Sequence, residues 1–171
     1  MDFNVERLLK IVLTLILIVL SLPYFTSTHP WTLIDGANLL IHEAGHLIWS
    51  FGGEFMMFLG GSLTQCLFPV IFALYFVRQR AWYSVLFCIF WLGINLVYVG
   101  IYIADARTME LPLINDNSTH DWNWLLTQTG LLAFDQLIGG IVRGLGLLHI
   151  VMAEVLMLIV SVKKRSLVQE S

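Results

Sequence analysis

Long apolar runs most constrain the fold of this chain. Residues 8–22, 62–77, 81–104 and 136–162 carry few charges, and the whole chain is 58% hydrophobic but only 12% charged. An average soluble domain has about 25% charged residues, so this chain cannot cover its surface with polar groups. Apolar runs of about 20 residues cross a bilayer as helices, which satisfy their own backbone hydrogen bonds. The sequence therefore predicts an all-α membrane protein. A cleavable signal peptide is the alternative for residues 8–22, although no small-residue cleavage site clearly follows.

A further apolar stretch, residues 32–50, decides the number of membrane spans. Basic residues at 7–10, 78–80 and 163–165 all lie on the cytoplasmic side under the positive-inside rule. This holds if residues 32–61 form a re-entrant helix and hairpin, which leaves four full spans and both termini in the cytoplasm. A fully crossing helix instead gives five spans and places one basic cluster on the other side. We therefore expect a polytopic bundle of four to five spans in the cell membrane.

The remaining segments are expected to be short or irregular. Glycine pairs bracket residues 52–61, which favours an irregular or extended hairpin. Residues 105–123 form the most polar stretch and are predicted to be a loop, and residues 124–134 suit a short interfacial helix. The chain is expected to be a single integral membrane domain over residues 1–171, with a metal-site core at about 32–135.

One polar stripe interrupts the apolar residues 32–50 and carries the HExxH motif His42-Glu43-Ala44-Gly45-His46. On a helix the two histidines lie one turn apart on the same side, where they can bind one metal ion. Glu43, between them, is placed to act as a general base towards a water molecule. Burying three ionisable residues in an apolar segment is costly unless they have a partner. The motif therefore predicts a metal site that faces the protein interior.

A zinc site needs at least one more protein ligand, and the sequence offers several candidates. Asp105, at the end of the 81–104 span, is the first candidate. An ion pair between Asp105 and Arg107 is the structural alternative for that carboxylate. His120 and Asp121, which stand together in the polar loop, are the alternative ligands.

Charged residues in the last apolar run also need partners, because lipid solvates them poorly. Arg143 is expected to pair with Asp135 or Asp121, and the arginine could also hold a substrate carbonyl. His149 and Glu154 are expected to form hydrogen bonds to other helices.

An HExxH motif in an apolar helix, followed by a glycine-bracketed segment and by an aspartate after a long span, resembles the site-2 protease class of intramembrane zinc metallopeptidases. The resemblance covers mainly residues 32–105, and it implies that the two motif histidines bind Zn²⁺ and that Glu43 is the catalytic residue. The family's third ligand is an aspartate in an Asn-x-x-Pro-x-x-x-Leu-Asp-Gly type motif. The nearest equivalent, Asn95 to Asp105, lacks the proline and the Leu-Asp-Gly and is more widely spaced. A chain of 171 residues has no room for the PDZ domain of many members, which indicates a minimal, divergent relative.

Together these features predict a membrane-embedded zinc metalloprotease that hydrolyses peptide bonds in or near the bilayer. The expected partners are membrane lipids and a membrane-protein or peptide substrate, and the chain has no basic clusters suited to nucleic acid. The alternative is a non-catalytic, metal-binding membrane scaffold or regulator derived from the same fold, which the departure from the aspartate motif favours. A transporter with a His and Asp ion relay is a third possibility, but the chain lacks the internal repeat of many transporters.

Overall fold

The computed structural model describes residues 5–28, 30–112 and 119–162, and every regular element in these ranges is helical. The prediction of an all-α bundle is therefore confirmed, while the basic residues 163–165 lie outside the described residues. The α-helices are α1 (Val5–Thr26), α2 (Leu33–Trp49), α3 (Glu54–Arg78), α4 (Trp82–Ala104), α5 (Asp121–Gln128) and α6 (Asp135–Val162). Single 3₁₀ turns precede α3 and α6, at Ser50–Gly52 and Leu132–Phe134.

Four helical segments are long and apolar enough to cross a membrane. They are Val5–Thr26, Glu54–Arg78, Trp82–Ala104 and Leu132–Val162. Helix α2 has 17 residues and is not among them, since about 20 apolar residues are needed to span the hydrocarbon core. The described chain thus has the composition and architecture of a multi-pass membrane protein.

Helix α4 is the central helix of the bundle. Its most apolar stretch is 56% buried, compared with 22–28% in the other three candidate spans. Phe90, Ile94 and Val97 of α4 are almost fully buried and form one core with Ile150 and Met157 of α6. The outer faces of α1, α3 and α6 expose leucine, isoleucine and phenylalanine side chains instead. Such outer faces suit contact with lipid chains.

Glycines allow α4 and α6 to pack backbone against backbone. A Cβ atom added at Gly139 would lie 2.5 Å from the carbonyl oxygen of Gly100, and one added at Gly146 would lie 2.6 Å from the Val97 nitrogen. Gly140, the next residue along α6, points away from this interface and has no atom within 4 Å of an added Cβ. Two adjacent glycines of one helix therefore differ completely in their surroundings.

This difference predicts opposite effects of the same substitution. Gly139→Ala is expected to destabilise the bundle by about 1–3 kcal/mol, because the methyl group forces α4 and α6 apart. Gly140→Ala is expected to be neutral or to stabilise α6 by up to about 1 kcal/mol through helix propensity. Thermal unfolding in detergent, followed by a dye that reacts with the thiols of Cys66 and Cys88, measures both. Equal unfolding temperatures for the two variants would contradict the close packing of α4 against α6.

The bundle has two chemically different ends. At one end the Arg7 side chain donates to the Val162 carbonyl at 2.6 Å, and the Tyr83 hydroxyl donates to the Lys10 carbonyl at 2.9 Å. Arg78, the last residue of α3, and Arg80, in the turn between α3 and α4, lie at the same end because α4 begins there. We call this the basic end. Four of the six Lys and Arg residues in the described ranges thus lie at this end, as the positive-inside pattern predicts for Arg7, Lys10, Arg78 and Arg80.

The opposite end, which we call the loop end, holds the end of α4, helix α5 and the start of α6. There Arg107 pairs with the fully buried Asp135, with Nη2 to Oδ1 at 2.7 Å. The alternative pairing of Arg107 with Asp105 is therefore wrong. Helix α5 begins at Asp121, three residues before the short helix expected at 124–134. The described parts of the segments 105–123 and 124–134 therefore lie together at this end.

The expected hairpin over residues 52–61 is wrong, because α3 begins at Glu54 and runs through this segment. The two glycine pairs have different roles. Gly53 has a φ of +87°, which suits the sharp turn between α2 and α3. Gly60 and Gly61 lie inside α3, where a Cβ would lie 2.7 Å from the Gly45 carbonyl and 2.5 Å from His42 Nε2, respectively. Gly60 and Gly61 therefore allow close helix packing and do not mark a turn. The pattern of apolar residues in the sequence does not distinguish these two roles of glycine.

Candidate metal centre

Helix α2, which carries the HExxH motif, is anchored at its first turn by Asp35. The Asp35 carboxylate is fully buried and accepts hydrogen bonds from the Thr32 backbone N–H at 2.6 Å and the Thr32 hydroxyl at 2.8 Å. It also accepts one from the Tyr24 hydroxyl of α1 at 2.8 Å. A side chain at the third helical position that binds back to the cap residue is a standard device for starting a helix. Here it also ties the motif helix to α1.

The two motif histidines meet a carboxylate from the far end of the chain. The Nε2 atoms of His42 and His46 lie 3.0 and 3.3 Å from Oδ2 of Asp121, the first residue of α5. One ligand atom from each residue falls within 4.8 Å of the other two. These three residues form a group that could hold a metal ion, which we call the metal triad.

The other nitrogen of each imidazole already has an acceptor. His42 Nδ1 donates to the Gln65 side-chain oxygen of α3, and His46 Nδ1 donates to the Met57 carbonyl, both at 2.8 Å. A histidine that donates from Nδ1 keeps the lone pair of Nε2 free for a metal. Both imidazoles are therefore oriented so that Nε2, the nitrogen available to a metal, faces Asp121.

The spacing of the metal triad fits a tetrahedral ion. Bonds of about 2.0–2.2 Å from a tetrahedral zinc place neighbouring ligand atoms about 3.3–3.6 Å apart, and the two Nε2–Oδ2 distances of 3.0 and 3.3 Å lie at or slightly below the lower end of this range. Although burial raises the pKa of the Asp121 carboxyl, hydrogen bonds with His42 and His46 outweigh it and hold that pKa below its ordinary value. The charged carboxylate that a cation prefers is thus the form present at this position.

The first candidate for the third ligand, Asp105, does not join this group. It lies at the end of α4, where its carboxylate accepts the backbone N–H groups of Glu110 and Leu111 at 2.9 and 3.1 Å. His120, one of the alternatives, is bound to that same carboxylate at 3.2 Å. Of the three candidates the structure brings only Asp121 to the histidine pair. The reason is that Asp105 is used to close the turn that follows α4.

Glu43 shares a cavity of about 240 Å³ with the metal triad. It lies on the exposed side of α2, one residue from His42. Tyr98 and Tyr102 of α4 also line it, and apart from Thr119 the rest of the lining is apolar: Leu39, Met57, Phe58, Leu111 and Pro112. The Glu43 carboxylate and the three residues of the metal triad therefore line one space together with five apolar side chains.

Some residues of the centre were not anticipated. Gln65 is a buried amide in an otherwise apolar stretch of α3, and that isolation is the signal that could have identified it. Tyr102 accepts the Asp121 backbone N–H at 3.1 Å, and no sequence pattern pointed to it.

Arg143 donates to the Tyr24 and Ser27 carbonyls at 3.4 and 3.0 Å, at the end of α1. These bonds replace the expected pairs of Arg143 with aspartates.

Glu154, the other charged residue of α6, accepts a hydrogen bond from the Ser21 hydroxyl of α1 at 2.7 Å. The expected bond from Glu154 to another helix is therefore confirmed. His149 instead donates from Nδ1 to the Leu145 carbonyl of its own helix at 2.7 Å. Neither residue is part of the metal triad.

Comparison of the chain with known protein families, with curated proteins and with solved structures gave no match.

Proposed function

We propose that this protein is a membrane-embedded zinc metalloprotease that hydrolyses peptide bonds in or near the bilayer. The observation that carries the proposal is the meeting of His42, His46, Asp121 and Glu43 around one cavity in an apolar helix bundle. Two histidines and a carboxylate leave one position of a tetrahedral zinc open, which is the arrangement of catalytic rather than structural zinc sites. The choice of zinc rests on this donor set and on the HExxH spacing.

A zinc ion in the triad would polarise a scissile carbonyl and make water a stronger nucleophile at neutral pH. The protein's own residues supply the remaining chemistry. Glu43 accepts the proton of the attacking water and returns a proton to the leaving amine, as a general acid–base residue does. Gln65 and the Met57 carbonyl keep both imidazoles oriented. The apolar side chains that line part of the cavity lower the polarity around these groups, which strengthens their electrostatic interactions.

The substrate class follows from the side chains that line the cavity. Its apolar lining, Leu39, Met57, Phe58, Leu111 and Pro112, suits a peptide segment with apolar side chains better than a charged one. Such a segment is available to this protein as part of another membrane protein. The resemblance to the site-2 protease class supports the same substrate class, with the difference that Asp121 here takes the place of the aspartate ligand.

The arrangement of charges supports one orientation in the membrane. With the basic end in the cytoplasm, as the positive-inside rule favours, both termini are cytoplasmic and the loop end faces the other side. The triad depends on α5, which lies at the loop end, so cleavage would take place near the non-cytoplasmic surface. The re-entrant placement of α2 is part of this proposal, because four full spans satisfy the rule.

A reconstitution experiment tests the proposed function. The protein is purified in detergent, its zinc content is measured by mass spectrometry, and it is reconstituted with a mixture of single-span membrane proteins. We expect about one zinc per chain and new peptide termini that disappear after chelation with 1,10-phenanthroline and return after zinc is added. Purified wild-type protein that holds no zinc, or that holds zinc and generates no new termini, would contradict the protease assignment.

A further inference from the structure

Asp105 and His120 form a buried pair directly beside the metal triad. The two residues are only 8% and 3% exposed, and His120 Nε2 lies 3.2 Å from Asp105 Oδ2. His120 Nδ1 accepts the backbone N–H of Asn123 at 3.1 Å. Because a neutral imidazole has one donor and one acceptor nitrogen, the proton is on Nε2 and is donated to Asp105. In the two triad histidines, by contrast, Nδ1 is the nitrogen that faces a carbonyl acceptor.

His120 determines where helix α5 begins. It is the residue before Asp121, and its bond to the Asn123 N–H caps the first turn of the helix. The Tyr102 ring packs against the His120 ring with their centres 4.3 Å apart, and the Tyr102 hydroxyl accepts the Asp121 N–H. The backbone of the third ligand is thus held on one side by the cap and on the other by α4.

Asp105 connects this cap to the end of α4. Besides the bond from His120, its carboxylate accepts the Thr108 hydroxyl at 2.8 Å and the backbone N–H groups of Glu110 and Leu111. Three residues of the turn after α4 are thus hydrogen-bonded to one carboxylate, which fixes the conformation of the turn. A continuous series of contacts therefore runs from α4 through Asp105 and His120 to Asp121. Helix α5 has only eight residues, so it depends on such contacts for its position.

We propose that Asp105 and His120 are positioning residues that hold Asp121 in place for metal binding and so set the affinity of the centre. The inference rests on the proposed metal centre, and it assigns a role to two residues that the sequence offered as ligands. A catalytic zinc site keeps its geometry through groups that orient its ligands, and their loss typically lowers metal affinity about 10–100-fold. We expect a loss of this size, rather than loss of the metal, when either residue is changed.

Two substitutions test the positioning role. In Asp105→Asn an amide nitrogen replaces one acceptor oxygen and faces groups that also donate. In His120→Asn the new side chain still caps α5, since asparagine is a good N-cap residue, but it is too short to reach Asp105. Zn²⁺ affinity is measured in the full-length protein by competition with a chromophoric chelator. The absorption spectrum of the Co²⁺-loaded protein reports the geometry of the centre.

Asp135→Asn is the matched control. Asp135 is also a buried carboxylate at the loop end, and it pairs with Arg107 and the Gln136 N–H but does not contact the triad. We expect this variant to lose thermal stability and to keep wild-type Zn²⁺ affinity and Co²⁺ spectrum. Asp105→Asn and His120→Asn are expected to lose about 10–100-fold in affinity and to change the spectrum.

The possible results separate this inference from the metal centre itself. Wild-type affinity in folded Asp105→Asn and His120→Asn, or an equal loss of affinity in Asp135→Asn, would overturn the positioning role and leave the centre intact. Complete loss of metal in Asp105→Asn, with metal retained in Asp121→Ala, would make Asp105 the ligand. A wild-type protein that binds neither Zn²⁺ nor Co²⁺ would remove the metal centre and this inference together. If one variant fails to fold, the other decides.

Discussion

Glu43→Gln is expected to abolish peptide-bond hydrolysis while the protein keeps its zinc. The amide has nearly the shape of the carboxylate but cannot accept a proton from water, and a positioned general base typically contributes about 10²–10⁴-fold to a rate. Glu43 lies on the exposed side of α2 and lines the cavity without being part of the metal triad. The measurement is the rate of substrate cleavage at equal zinc content.

Glu54→Gln is the matched control. Glu54 is the first residue of the apolar helix α3, at the loop end of the bundle, and it does not line the cavity. It should cleave at the wild-type rate. Undiminished cleavage by Glu43→Gln would refute the acid–base role of Glu43. In cells, an unchanged phenotype of Glu43→Gln together with a lost phenotype of His46→Ala would favour the non-catalytic scaffold.

Asp121→Ala is expected to empty the centre of metal. The carboxylate lies 3.0 and 3.3 Å from the two histidine Nε2 atoms, and it is the only carboxylate in the described chain that joins them within 4.8 Å. Its removal leaves two protein ligands, fewer than the three of known catalytic zinc sites. We therefore expect a fall in zinc affinity larger than the about 10–100-fold expected for a residue that only orients a ligand.

Zinc content after gel filtration and affinity by chelator competition measure this effect. Asp121→Glu is a useful companion, because it keeps the charge and the ligand type but moves the oxygens by one methylene. We expect it to bind zinc more weakly than the wild type and more tightly than Asp121→Ala. A wild-type zinc content in Asp121→Ala would show that the third ligand lies elsewhere in the chain.

The spans and the motif helix were largely predictable from the sequence, for a simple physical reason. In lipid the backbone must satisfy its own hydrogen bonds, so an apolar run becomes a helix whatever its neighbours are. Residues 81–104 and 136–162 were predicted within one residue of α4 and α6 at each end. The segment 52–61 was not, since its glycines lie in a helix that packs against α2.

The choice among Asp105, His120 and Asp121 could not be made from the sequence. All three have suitable chemistry, and Asp105 follows the longest clean span, which made it the natural first candidate. The three candidates differ in their hydrogen-bond partners. The backbone N–H groups that follow α4 bind the Asp105 carboxylate and hold Asp105 away from the cavity, and His120 is bound to Asp105 in turn.

By itself, the sequence determined that this is a helical membrane protein and that His42, Glu43 and His46 share one turn of a helix. Both properties are local, because they depend on hydrophobicity and on helical periodicity over a few residues. Only the tertiary structure decided that Asp121 completes the triad. Its partner His42 is 79 positions away, and such a distant contact depends on how α3, α4 and α5 pack together. The residue pattern within a single helix does not show how that helix packs against the others.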